Sequence, residues 1–147
     1  MAQLVEVSLE QEHDFRFAIH FPDGVPTIHG DEHPPLGQGT GPNPMQLLAA
    51  SVGNCLSDSL LFALRKFKQA PEPIRTQVTA TVDRNPENRM RVMNIAVKIS
   101  LGVPGATLQH LDRALAQFEE FCTVTQSVRQ GIPVAIEVYD SAGEQLK

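Results

Sequence analysis

The residues in this chain best suited to chemistry are its two cysteines, Cys55 and Cys122. A thiolate is a nucleophile and a metal ligand, whereas a buried thiol is often only a small hydrophobe. Two of them can therefore be inert core groups, a metal pair or a redox couple. The stretch from Met1 to Glu12 is polar and acidic, without the basic start and apolar run of a secretory signal, so the expected compartment is the cytoplasm. Structural disulfides are rare there. Cys55 follows Gly53-Asn54, which leaves one side of the thiol unencumbered by a large neighbour. Cys122 sits in Phe121-Cys122-Thr123-Val124-Thr125. A helical turn starting there would aim free N–H groups at the sulfur and lower its pKa.

Other groups offer less. His29, Asp31, Glu32 and His33 could supply metal ligands, but they fall in a Gly/Pro-rich loop, and a polar loop is the simpler reading. A cysteine hydrolase needs a histidine beside its thiol. Outside the N-terminal cluster only His110 is available, on the polar side of a helix. Gly37, Gly39 and Gly41 fit neither phosphate-binding fingerprint and are read as turn glycines. Asp58, one turn past Cys55, either raises that thiol's pKa or faces solvent.

The elements that must position the thiols follow from patterning. Residues 4–8 and 14–21 read as strands, the second alternating Phe15, Phe17, Ile19 and Phe21 with polar or small residues. A turn at Pro22-Asp23-Gly24 precedes a possible short strand at Thr27–His29, and Gly30–Gly41 is a loop. Asn43 as N-cap and Pro44 at the first helical position open a long helix that runs to about Lys68. Its apolar residues, Cys55 among them, cover more than half its circumference, which makes it central and suggests a dimer. Strands at 75–83 and 91–101, joined through Arg84-Asn85-Pro86-Glu87-Asn88, form an antiparallel hairpin. After a loop at Gly102–Ala106, a second helix starts at an N-cap Thr107 and carries Cys122 at its far end. The chain restarts as a short helix over Thr123–Gln130, and a last strand at 132–139 turns Ile132, Val134, Ile136 and Val138 inward.

The order β-β-(β)-α-β-β-α-β is an α+β fold in one domain spanning 1–147. With 41% hydrophobic and 20% charged residues the composition is that of a soluble globular chain, and a net charge of −5 argues against nucleic acid as partner. The apolar stretch Leu47–Leu64 is broken by Ser51, Asn54, Ser57, Asp58 and Ser59. An aspartate at mid-membrane costs about 2.5–3.5 kcal/mol, so a buried helix is expected and not a membrane span.

The run GTGPNPMQLLAASVGNCLSDSLLFALRKF, residues 39–67, resembles the signature of the OsmC/Ohr superfamily: an Asn-Pro turn, a long helix, a Leu-Leu-Ala-Ala stretch and a Gly-x-Cys. FCTVTQSVRQGIPVAIEVYD, residues 121–140, is similar to the second landmark, a cysteine before a short helix and a Val/Ile strand. The resemblance implies an OsmC-like fold, with antiparallel sheets around a long central helix, in an intertwined homodimer with thiol sites at its interface. It further implies a thiol-dependent peroxidase that reduces organic hydroperoxides without metal or organic cofactor, regenerated by a cellular dithiol. By position Cys55 is the attacking thiol and Cys122 the resolving one.

One departure stands out. The family's peroxidases place a glutamate after the Asn-Pro turn, partnered by an arginine; here Met45 stands there, followed by Gln46. Gln46 can accept a hydrogen bond but cannot form an ion pair. Arg16, on the second strand, is the candidate activating arginine. The alternative function is a non-catalytic OsmC-like dimer that binds a small apolar ligand at its interface, its thiols idle.

Overall fold

The structure, a computed structural model, describes every residue of the chain except Pro133. Its centre is α1, Pro44–Lys66. The helix begins where local chemistry says it should. Asn43 accepts a hydrogen bond from the Gln46 N–H (2.8 Å), and Gln46 Oε1 accepts one from the Asn43 N–H (2.9 Å), a reciprocal capping box ahead of Pro44. The buried stripe of α1, Val52, Gly53, Leu56, Leu60 and Leu64, falls at helical spacing and faces the rest of the chain.

Three strands precede α1. β1 (Ser8–His13), β2 (Arg16–His20) and β3 (Ile28–Gly30) form one antiparallel sheet in the order β1-β2-β3. The expected first strand at 4–8 is therefore displaced. Ser8 pairs with His20 and Gln11 with Phe17, so pairing with the more apolar β2 fixes the register, not the Val5–Val7 alternation. Asp14 adopts a left-handed φ of 47° in the turn, so β2 begins at Arg16, two residues after the expected start at 14.

After α1 comes the hairpin of β4 (Arg75–Arg84) and β5 (Met90–Ser100), paired in antiparallel register from Arg75 opposite Ser100 to Arg84 opposite Met90. β4 packs directly on α1 at Gly53. A Cβ at that position would lie 2.5 Å from Val78 Cγ2, so only glycine allows this approach. Gly53→Val is expected to destabilise the fold by about 1–3 kcal/mol through overpacking, read as a lower denaturation midpoint at unchanged slope in chemical unfolding.

The second helical region is shorter and more broken than its apolar spacing predicts. Thr107 is not its cap: the Thr107 hydroxyl donates to the Pro104 carbonyl (2.7 Å) and closes a 3-10 turn, Gly105–Thr107. The helix α2 starts at Leu111 and ends at Gln117, and a 3-10 turn over Phe118–Phe121 follows. The break at Cys122 and the restart as α3, Thr123–Gln130, fall where the sequence places them. Two apolar clusters bind these pieces to α1. Val52, Leu56 and Cys122 pack with Ile95, Val97, Phe118 and Val128; Leu60, Leu64 and Ala114 pack with Phe67, Leu101 and Leu111.

The last expected strand does not form. Among the described residues of 132–139 there is one isolated bridge, Tyr139 to Gln145, and Ile132, Val134, Ile136 and Val138 are exposed, not inward. A strand needs a neighbour to hold its N–H and C=O groups; here, among the described residues, that neighbour is found only at its end, where Val138 exchanges backbone hydrogen bonds with Leu146 and Lys147.

Candidate active site

Cys55 sits midway along α1, half-buried, and Cys122 is the N-cap residue of α3, with none of its surface exposed. The fold brings them together although they are far apart in the chain. α3 and the 3-10 turn before it lie across α1, so the two thiols share one apolar cluster. Both cysteines are free.

Their surroundings treat the two sulfurs differently. Burial pushes the Cys55 thiol above its ordinary pKa, as do the neighbouring Cys122 thiol with its charge and the carboxylate of Asp58; the Val124 N–H opposes them. Burial also pushes Cys122 upward, but the neighbouring Cys55 thiol, the hydroxyl and N–H of Thr125 and the Ser59 hydroxyl outweigh it and hold Cys122 below its ordinary value. Cys122 Sγ lies 3.1 Å from Thr125 Oγ1. The thiol donates to the hydroxyl oxygen, and once ionised the thiolate accepts the hydroxyl proton instead. A pair coupled in this way loses its protons as a unit. The first charge settles on Cys122, and the second ionisation is driven above the usual thiol range. Asp58 acts on Cys55 through its charge while its Oδ2 accepts a hydrogen bond from the Asn54 amide (2.8 Å).

A groove of about 720 Å³ opens beside the pair, walled by α1 residues Leu48, Val52 and Leu56, by the β5 face of Ile95, Val97 and Ile99, and by Phe118 and Val128. At its rim Arg129 donates to Glu119 at 2.7 Å. The chamber is of a size for a small apolar molecule; neither cysteine lines it, but Val52 and Leu56, which do, pack against Cys122.

Arg16 and Gln46 stand elsewhere within the chain. Arg16 donates through Nε to Glu12 Oε1 (2.8 Å) and through Nη1 to Thr40 Oγ1 (2.6 Å) and the Thr40 carbonyl (3.3 Å). Gln46 is held in the helix cap, with His33 Nε2 3.4 Å from its Oε1. Both residues thus support the loop between β3 and α1. The post of that loop is Asp31, buried, whose carboxylate accepts from the N–H groups of Glu32, Gln38 and Thr40 and from the Thr40 hydroxyl. The Thr40 bonds, with those of Gln38 and Glu32, hold its carboxyl below the ordinary range. A carboxyl with a depressed folded pKa contributes stability that is present above the unfolded value of about 3.9 and lost as pH falls through the lower folded one. At neutral pH, Asp31→Asn is expected to raise amide exchange at Gln38 and Thr40 about tenfold or more, with α1 amides unchanged.

His29 lies 3.5 Å from Glu12, and among the described residues no three His, Cys, Asp or Glu side chains gather around a metal-sized point. His110 stacks on Phe67 with ring centroids 4.8 Å apart, at the opposite end of α1 from its cap. Sequence reasoning passed over Ser59 and Thr125. The signal was spacing: Ser59 is four residues past Cys55 on α1, and Thr125 is three past Cys122 on α3.

Comparison with known proteins agrees with this architecture. An osmotic-stress-induced and detoxification-response protein from Psychrobacter arcticus superposes with a TM-score of 0.72 at 17% identity, over 86% of this chain and 90% of that one. An organic hydroperoxide resistance protein OsmC from Legionella pneumophila gives 0.64 at 16% identity, over 88% and 91%. The organic hydroperoxide resistance protein OhrB of Bacillus subtilis gives 0.63 at 15%, over 90% and 95%. No curated protein matches the sequence. At these identities the structural likeness establishes the α+β fold with its long central helix. Residues 37–137, a span that contains α1, the β4–β5 hairpin and both cysteines, match the family described as OsmC-like protein, and the chain belongs to that family.

Proposed function

We propose that this protein is a thiol-dependent reductase of organic hydroperoxides, acting as a cytoplasmic homodimer with Cys55 and Cys122 as its redox pair. The observation that supports the reading is the meeting of two free thiols, remote in the chain, in one apolar cluster beside an apolar groove. Cys55, the more accessible sulfur, attacks the distal oxygen of the peroxide. Its proton passes to the Cys122 thiolate as the S–O bond forms and the O–O bond breaks, and the departing alkoxide takes that proton to leave as the alcohol. The restored Cys122 thiolate then attacks the Cys55 sulfenic acid, forming the disulfide and expelling hydroxide. A dithiol reduces the disulfide by exchange. The apolar walls favour an alkyl hydroperoxide over hydrogen peroxide. Arg16 and Gln46 are retained as assisting groups that enter through the assembled dimer. The names of the Legionella and Bacillus proteins point the same way.

The test is consumption of dithiothreitol in the presence of an alkyl hydroperoxide. Turnover at the uncatalysed rate overturns the proposal.

A second reading, an apolar-ligand binder with idle thiols, draws support from the roughly 720 Å³ groove and from the engagement of Gln46 and Arg16 with the β3–α1 loop. It expects a fluorescent apolar probe to bind equally well when both cysteines are serine, with no thiol consumed.

A further inference from the structure

The two sulfurs differ in access as well as in charge. Cys122 is wholly enclosed, whereas Cys55 keeps part of its surface. In a disulfide between them, an incoming thiolate can reach only the Cys55 sulfur. Exchange is in line, so the sulfur that must leave is Cys122. Departure is faster when the leaving thiolate is better stabilised. At that sulfur the structure places the Thr125 hydroxyl at 3.1 Å and the first turn of α3, and the Thr125 N–H and the Ser59 hydroxyl further favour its anion. Thr125 is itself buried, 6% exposed, so water offers no substitute donor.

We propose that Thr125, backed by Ser59, is a positioning residue for the reductive half of the cycle, holding Cys122 as the leaving group when a dithiol opens the Cys55–Cys122 disulfide. The proposal rests on the redox pairing above and assigns its direction. A thiolate of the reductant forms an S–S bond to Cys55 as the Cys55–Cys122 bond breaks, and the electron pair leaves on Cys122 Sγ, where the Thr125 hydroxyl donates to it. The reductant's second thiol, ionised to solvent, then attacks its own sulfur in the mixed disulfide, closing the oxidised reductant and releasing Cys55, which takes up a proton. Two electrons pass from the dithiol to the protein. No proton is needed at Cys122 itself, which is why a site that stabilises its anion speeds the step.

The experiment uses the full chain oxidised with diamide, so that no peroxide is required, and follows reduction by dithiothreitol in the parent, Thr125→Val and Thr125→Ser. Valine keeps the shape and removes the hydroxyl; serine restores it. Reduction of Thr125→Val is expected to slow about three- to tenfold, taking about half of one charge-assisted hydrogen bond as expressed in the transition state, with Thr125→Ser near the parent. A second readout is the pH at which thiolate absorbance appears in a Cys55→Ser background, which moves upward for Thr125→Val and not for Thr125→Ser. The other titratable groups around the pair are Asp58 on α1 and Glu119, itself paired with Arg129, and neither is altered by these substitutions. Equal reduction rates for parent and valine variant, or a serine variant as slow as valine, overturn the proposal; so does failure of diamide to form the disulfide. If Thr125→Val fails to fold, Ser59→Ala with the same two readouts replaces it. Slowed reduction without any hydroperoxide turnover leaves this assignment standing and removes the proposed substrate. Hydroperoxide turnover with equal reduction rates does the reverse.

Discussion

Serine at position 55 is expected to reduce alkyl hydroperoxide turnover to the uncatalysed rate, whereas serine at 122 permits a single attack and then stalls. The asymmetry follows from the assigned roles. Without Cys55 the pair offers no accessible sulfur, because Cys122 is fully enclosed. Without Cys122 the Cys55 sulfenic acid forms but has no partner, and mass spectrometry of the Cys122→Ser protein after one equivalent of hydroperoxide shows one added oxygen on Cys55. The pH dependence separates the two steps. In the parent the pair carries one charge once pH exceeds the lowered pKa on Cys122, and kcat/KM stays level until the raised second ionisation. Acidification through the lowered value protonates Cys122 and activity falls. In Cys122→Ser the Cys55 thiol must ionise unaided against burial and the Asp58 carboxylate, so its single attack accelerates only into the alkaline range. If serine at 55 retains measurable turnover, or if the stalled variant gains its oxygen elsewhere, the assignment of Cys55 as attacking sulfur is lost.

Part of this arrangement is legible in the sequence, and the part that is legible is local. Asn43, Pro44 and Gln46 set the start of α1 through contacts three residues apart. The Asn85–Asn88 stretch turns the hairpin through its own side chains: Asn85 Oδ1 accepts from the Glu87 and Arg89 N–H groups. The restart at Cys122 is visible because Phe121 and Cys122 end one apolar stripe and a different one begins. What escapes is what depends on distant partners. β1 slides to Ser8–His13 because β2 decides its register. α2 begins after His110 because Thr107 is engaged by Pro104. The nearness of Cys55 and Cys122 is a tertiary fact for which no spacing rule exists; family resemblance supplied it. The same limit hid the hydroxyls of Ser59 and Thr125, which matter only once α3 lies across α1.

The C-terminal segment leads to the last expected result: Val134→Asp with Ile136→Asp converts a dimer into a monomer and abolishes turnover. Ile132, Val134, Ile136 and Val138 alternate in the manner of a strand yet are 42–78% exposed, and Leu4, Val5, Val7 and Leu9 before and within β1 are 47–86% exposed. Apolar rows of this length are interaction surfaces in soluble proteins. The sheets also end open: β1-β2-β3 and the β4–β5 pair each present unpaired edges, and a lone hairpin is only marginally stable. A second copy would answer both needs, offering edge strands to a segment that within its own chain is held, among the described residues, only at its end, through Val138 and Tyr139. Burying each such side chain is worth about 1.5–3 kcal/mol, and a two-fold axis counts every position twice. Two aspartates then remove roughly 6–12 kcal/mol of association free energy, enough to dissociate even a nanomolar dimer at assay concentrations. Light scattering is expected to give twice the 16.1 kDa chain mass for the parent and one chain mass for the variant. Loss of the partner also leaves the apolar groove beside the thiols without its cover, so hydroperoxide turnover falls with the dimer. A parent that scatters as one chain while it turns over hydroperoxide removes the dimer from the mechanism and leaves the thiol pair to act within a single subunit.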